Sequence, residues 1–198
     1  DQSWRSMPRF LSAENKNAFA SRLSEYVREA KLQRCLVVLH GGEPLLAGVD
    51  SIVEFAALLR ETIGDAAMVD VALQTNGLLL TERALECFET AEISVSLSLD
   101  GPKQTNDLHR TTRKGRSSFD RVLAAYRRLQ KRPKVFAGVI AVVDPRSLPE
   151  ELFGFFDGLK PSKLDFLLPD AHHERPPAGR EENADLYLNW LVSAFDIW

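Results

Sequence analysis

Apolar and polar positions follow two rhythms along the chain. Short apolar runs at 35–39, 69–75, 93–99, 135–143 and 163–168 read as strands. Between them, apolar residues recur at helical spacing. The first set is Phe19, Leu23, Tyr26, Val27 and Ala30; the second is Ile52, Phe55, Ala56, Leu59 and Ile63. Ala84, Leu85 and Phe88 follow, then Phe119, Val122, Leu123, Tyr126 and Leu129, then Leu152, Phe155, Phe156 and Leu159. Ser12 and Thr81 stand where helix caps belong, Gly64 where a helix ends, and Ser147 with Pro149 where one opens. Residues 103–116 read as a polar loop. A last helix from about residue 182 carries Tyr187, Trp190, Leu191, Ala194, Phe195 and Trp198 on a broad aromatic face.

Strict strand–helix alternation predicts an α/β fold, a parallel sheet with helices packed outside it. A helix precedes the first visible strand, so the pattern lacks a strand before that helix. No phosphate loop of a doubly wound sheet is present, and a partial (β/α) barrel missing its first strand fits better. In such barrels the working residues gather at the C-terminal strand ends. Here those ends read His40-Gly41-Gly42-Glu43, Gln74-Thr75-Asn76-Gly77, Ser96-Leu97-Ser98-Leu99-Asp100, Val143-Asp144 and Leu168-Pro169-Asp170. Hydrogen-bonding groups appear where apolar strands stop, which predicts one shared polar site.

The run Leu36-Val37-Val38-Leu39 reads as a strand buried on both faces. It closes in Gly41-Gly42-Glu43-Pro44. Glycines let backbone approach a bound molecule closely, and a carboxylate beside open carbonyls suits an ammonium group. The same residues also suit a plain βα turn with a solvated Glu.

Composition narrows the classes. A chain of 198 residues with 44% hydrophobic content has room for a sizeable core. A net charge of −3 leaves no electrostatic footprint for nucleic acid. No apolar run is long enough for a bilayer span, and the N-terminus lacks signal-peptide order. The two cysteines, Cys35 and Cys87, form neither a metal spacing nor a disulfide framework. Both read as reduced packing residues of a cytoplasmic protein. A start at Asp1 and a stop at Trp198 inside a helix read as a piece of something larger.

The motifs in order resemble the radical SAM superfamily. Gly41-Gly42-Glu43-Pro44 is similar to its SAM-binding motif. Leu73-Gln74-Thr75-Asn76-Gly77 and Ser96-Leu97-Ser98-Leu99-Asp100-Gly101-Pro102 resemble later strand ends of that superfamily. Asp107, Arg110 and Gly115 with Ser118-Phe119 resemble the stretch that follows in its SPASM-containing branch. Leu164 to His173, followed by Pro176-Pro177, resembles FxsB-type peptide maturases. The resemblance implies a (β/α)6 TIM-like barrel over residues 1–181, with 182–198 beginning a helical linker toward a SPASM region. It implies reductive cleavage of S-adenosylmethionine to a 5′-deoxyadenosyl radical, which abstracts hydrogen from a ribosomally made precursor peptide to modify or crosslink it. The implied cofactors are SAM and a [4Fe–4S] cluster, with a flavodoxin or ferredoxin as electron donor.

The family's Cys-x3-Cys-x2-Cys loop is absent, so the cluster ligands are expected outside this chain and no metal ligand is assigned within it. For SAM, the resemblance implies Gly41, Gly42 and Glu43, followed by Pro44, at the methionine ammonium, and Ser98 at the ribose. His40 is either a ribose-facing group or a packed histidine. Thr75 and Asn76 either touch SAM or form the Asn-Gly turn. Asp100 is a SAM-side residue or part of a structural Asp-Gly-Pro turn. Arg110 pairs with the SAM carboxylate or with Asp100. Leu164 packs against adenine or is an ordinary barrel leucine. No catalytic residue is singled out. Two other classes stay open: a catalytically inactive SAM- or peptide-binding module, and a barrel hydrolase or lyase using Asp170, His172 and Glu43.

Overall fold

The computed structural model describes residues 7–112, 114–171, 174, 176–177, 179 and 185–198. Contacts divide the chain into two compact units, 1–75 with 79–95, and 76–78 with 96–198. The expected boundary at 181–182, and the adjacent His172 and His173, lie outside the described residues. Strand order in the sheet is the chain order, β1-β2-β3-β4-β5.

The first unit contains α1 (Ala13–Glu29), β1 (Arg34–Leu39), α2 (Val49–Ile63), β2 (Met68–Thr75) and α3 (Glu82–Thr90), and it includes the start of β3 (Ile93–Ser98). Ser12 caps α1 by accepting the Asn15 N–H at 3.1 Å, and Thr81 caps α3 through the Ala84 N–H at 3.1 Å. The five apolar residues expected on one face of α2 are all buried, and Gly64 ends that helix.

Two expectations fail in this unit. The buried stripe of α1 is Ala20, Ser24 and Val27, whereas Phe19 and Tyr26 are exposed. The reason is close helix packing. The Ser24 hydroxyl donates to the Thr62 carbonyl of α2 at 3.1 Å, which turns the small residues inward and the rings out. β1 is not buried on both faces. It pairs in parallel with β2, Val37 opposite Val71 and Val38 opposite Ala72. Its residues alternate, with Leu36 61% and Val38 46% exposed while Cys35, Val37 and Leu39 are half-buried. An end strand covered on one face alternates in this way whatever its composition.

The second unit contains the end of β3, α4 (Lys103–Asp107), α5 (Phe119–Gln130), β4 (Phe136–Val142), α6 (Pro149–Leu159), β5 (Leu164–Leu167) and α7 (Leu186–Ile197). Its core is centred on Phe119, Val122, Ala125, Tyr126 and Leu129 of α5. The Tyr126 ring meets Phe136 edge-on at 5.5 Å, and its hydroxyl donates to the Leu159 carbonyl at 2.8 Å. β4 and β5 pair in parallel, Val139 opposite Leu164 and Ala141 opposite Phe166.

Three expectations change here. Residues 103–116 are not simple loop: α4 comes first, and Thr111 then bridges to Ser117 across a short reversal. Ser147 does not cap α6, because its hydroxyl donates to the Asp144 carbonyl at 2.6 Å; Leu148 takes the cap position and Pro149 begins the helix. Of the aromatic face of α7, Trp190 and Ala194 are buried, while Phe195 and Trp198 are 72% and 89% exposed. Trp190 is inward because its indole N–H donates to the Ser147 carbonyl at 2.9 Å and its ring meets Phe166 at 5.9 Å.

Candidate functional site

The strand ends carry the polar groups, and each unit holds its own set. In the first unit β1 runs out at Leu39, and His40, Gly41 and Gly42 are exposed. Gly41 has φ +108, and a Cβ at either glycine would meet nothing within 4 Å. The backbone here is therefore open to a ligand. Glu43 follows, half-buried and extended, and precedes a short 3-10 turn at Pro44–Ala47. Its Oε1 accepts the Leu45 N–H at 3.0 Å and the hydroxyl of buried Thr75 at 2.8 Å. Pro44 cannot offer an N–H, so the Glu43 side chain caps the turn through Leu45. Both of these donors are neutral, and they orient the carboxylate. An exposed glycine pair beside an oriented carboxylate fits an ammonium-bearing ligand.

In the second unit, the Asn76 side chain accepts the Leu78 N–H at 2.9 Å. Gly77 completes that turn at φ +76, where a Cβ would lie 2.6 Å from Leu97 Cδ1. Asn76 thus has a turn role in the structure. Ser98 is buried at the end of β3, on the same face as half-buried Ser96, and Leu97 points the other way.

Asp100 is buried and forms a fork with Arg110: Nε donates to Oδ2 at 2.5 Å and Nη2 to Oδ1 at 2.8 Å. Oδ1 also accepts the Val142 N–H of β4 at 2.9 Å. Of the two partners open to Arg110 in the sequence, the structure shows Asp100. The rest of this motif supports the pair. The Ser118 hydroxyl donates to the Arg110 carbonyl at 2.6 Å, while Asp107 accepts from Lys103 at 3.1 Å and from Ser117 at 2.7 Å. Leu164 shares its face of β5 with Phe166, whose ring packs on Phe153 and Trp190. Leu164 is therefore on the helix-facing side of β5.

One cluster escaped the sequence reading apart from its position at a strand end. Asp144, just past β4, is buried and accepts from Arg146 Nη2 at 2.5 Å, from the Arg146 backbone N–H at 2.9 Å, and from His109 Nε2 at 2.7 Å. His109 comes from the segment after α4, and no local pattern could pair residues so distant in the chain. The Arg146 guanidinium holds the Asp144 carboxyl well below the usual carboxylate range, against the opposing effect of burial; the Arg146 backbone N–H and His109 add to the lowering. A depressed carboxyl stabilises the fold above its unfolded value, about 3.9, and that contribution is lost as pH falls toward the folded value. Asp144→Asn is expected to cost about 2 kcal/mol at neutral pH. In urea denaturation the gap to wild type should close steadily below about pH 4; a gap independent of pH would rule out this origin.

Among the described residues, no three His, Cys, Asp or Glu side chains converge as a metal site. Asp170 is exposed. Cys35 lies on β1 and Cys87 on α3, so the chain's two thiols cannot supply the three a [4Fe–4S] cluster takes in this manner. No helix among the described residues is long and apolar enough to cross a membrane.

The Radical SAM superfamily model matches residues 18–151. The chain belongs to the radical SAM superfamily. An uncharacterized protein of Methanothermobacter thermautotrophicus is 31% identical over 192 residues, covering 93% of this chain and 69% of that protein. The serine-type anaerobic sulfatase-maturating enzyme of Bacteroides thetaiotaomicron is 26% identical over 193 residues, covering 89% of this chain and 46% of that one. In fold, the solved structure of native anSMEcpe with bound AdoMet and Kp18Cys peptide superposes with a TM-score of 0.79 at 22% identity, over 96% of this chain and 52% of that one. This radical SAM chain thus spans about half the length of the maturating enzyme and of the solved chain it matches. Its fold class is the α/β partial radical SAM barrel of parallel strands expected from the alternation.

Proposed function

We propose that this chain is part of the core of a radical SAM peptide maturase that binds SAM and acts on a ribosomally made precursor peptide. The observation that carries the reading is the strand-end cradle of Gly41, Gly42 and Glu43, open at both glycines and with its carboxylate oriented by Leu45 and Thr75. The family match and the peptide-modifying relatives supply the context; the FxsB-type resemblance narrows it to maturases of ribosomal peptides.

Glu43 would accept the methionine ammonium of SAM, with the backbone at Gly41 and Gly42 beside it and Pro44 stiffening the exit. Ser98 would bond the ribose. Asp100 and Arg110 would hold the strand end that presents Ser98, by the fork and the Val142 bond described above. His40, Thr75 and Asn76 complete the proposed set, Thr75 acting through Glu43; Leu164, on the helix-facing side of β5, stands outside it. When bound together, SAM and a reduced iron–sulfur cluster supply one-electron, hydrogen-abstracting chemistry. The cluster's cysteines, and the contact for a flavodoxin or ferredoxin donor, would lie outside these 198 residues.

Calorimetric titration with SAM tests the cradle. Glu43→Gln keeps the shape and removes the charge, and it should weaken binding about tenfold or more. Equal affinity in the two proteins would overturn the assignment. The cysteine content favours a second reading for the chain taken alone, a SAM- and peptide-binding module without redox chemistry.

A further inference from the structure

The cluster at the end of β4 is more than the loop needs. Arg146 and Ser147 already close the turn after Asp144, through the side-chain and backbone bonds to Asp144. His109 adds nothing to that turn, yet it is brought in from the segment after α4, beside Arg110. Asp144 is buried at 5% side-chain exposure, while the His109 and Arg146 side chains it holds are 56% and 61% exposed. A sequestered anion thus fixes two solvent-facing nitrogen groups.

The geometry sets their chemistry. His109 Nε2 lies 2.7 Å from the Asp144 carboxylate, so that nitrogen carries the proton and Nδ1 points elsewhere. Arg146 commits Nε and Nη2 to Asp144, which leaves Nη1 without a hydrogen-bond partner among the described residues. Residues 108–118 contain no acidic side chain, and Lys114 and Arg116 are exposed with no ion pair among the described residues.

We propose that His109 and Arg146, held by buried Asp144, form a docking point for an acidic side chain of the peptide substrate. This rests on the peptide-modifying reading above. The incoming carboxylate accepts from Arg146 Nη1 and from His109 Nδ1. With Nε2 bonded to Asp144, Nδ1 can donate only from the doubly protonated ring, so docking requires that form of His109. The groups around that imidazole are Asp144 and Arg146 from the loop after β4, Tyr187 of α7, which responds to both charges, and Asp107 and Arg110 of its own segment. Because the docked form needs a proton on both ring nitrogens, affinity falls as pH rises.

The test uses a fluorescein-labelled peptide of alternating Glu and Ala, and its Gln-for-Glu counterpart, in anisotropy titrations of the 198-residue chain. The Glu peptide should bind about tenfold tighter than the Gln peptide at about pH 6, with a smaller preference at about pH 8. His109→Gln, whose amide still donates to Asp144, and Arg146→Gln should each lose the preference. Lys131→Gln, at the other end of α5, should keep it. Circular dichroism verifies that each variant is folded. Equal affinity for the two peptides in the wild type would overturn the proposal, as would folded variants that keep the preference or an equal loss in Lys131→Gln. SAM titration of the same samples separates the two readings. SAM binding without a Glu preference overturns the docking point alone. A Glu preference without SAM binding supports the docking point and counts against the SAM assignment.

Discussion

Asp100→Ala is expected to destabilise the second unit by about 3–5 kcal/mol, the usual result of removing one partner from a buried ion pair. Asp100 is 4% exposed and Arg110's side chain only 23%. Truncation would strand a largely buried guanidinium and remove the acceptor from the Val142 N–H in the same step. Asp100→Asn is the informative companion. It can still accept from Val142 but loses the charge and half of the fork, so it should fall between wild type and Asp100→Ala. Arg110→Lys should also be costly, because an ammonium cannot make two parallel bonds to one carboxylate. Urea denaturation followed by circular dichroism gives all three values. A loss below about 1 kcal/mol for Asp100→Ala would mean that the fork is an ordinary exposed pair.

Gly138→Ala should be about as damaging, for a backbone reason. Gly138 lies in β4 at φ +147, a conformation that L side chains rarely adopt, and a Cβ there would sit 2.6 Å from the Lys163 carbonyl oxygen. That oxygen accepts the Val139 N–H at 2.8 Å, so the β4–β5 ladder cannot retreat without losing a bond. Backbone strain and the clash together should cost about 3 kcal/mol or more. Gly158→Ala, within α6 and with nothing within 4 Å of the added carbon, is the control. It should be neutral or slightly stabilising by helix propensity. The melting temperatures of the two variants should separate clearly; coincident values would mean that β4 relaxes around the methyl group.

The repeating βα unit was legible because it rests on local periodicity. Each strand found in the structure lies within two residues of its expected run at both ends. The α2 stripe and the Ser12, Thr81 and Gly64 boundaries follow from the same short-range rules. Glu43 could be singled out for the same reason, since glycines, a carboxylate and a proline at a strand end form a contiguous signal. Helix rotation was harder to read. Phe19 and Tyr26 fit the spacing of α1 as well as Ala20 and Val27 do, and only the packing against α2 chose the small residues.

By itself, the sequence determined the succession of elements, the strand-end motifs and hence the superfamily, because these depend on residues adjacent or a few positions apart. The tertiary structure decided what those polar residues do to one another. It gave Thr75 to Glu43, Arg110 to Asp100, and His109 with Arg146 to Asp144. It also left Leu36 and Val38 of an apolar run exposed. A carboxylate at a strand end attracts any donor that the fold brings within about 3 Å, and which donor arrives depends on how distant segments pack, not on the residues beside it in the chain.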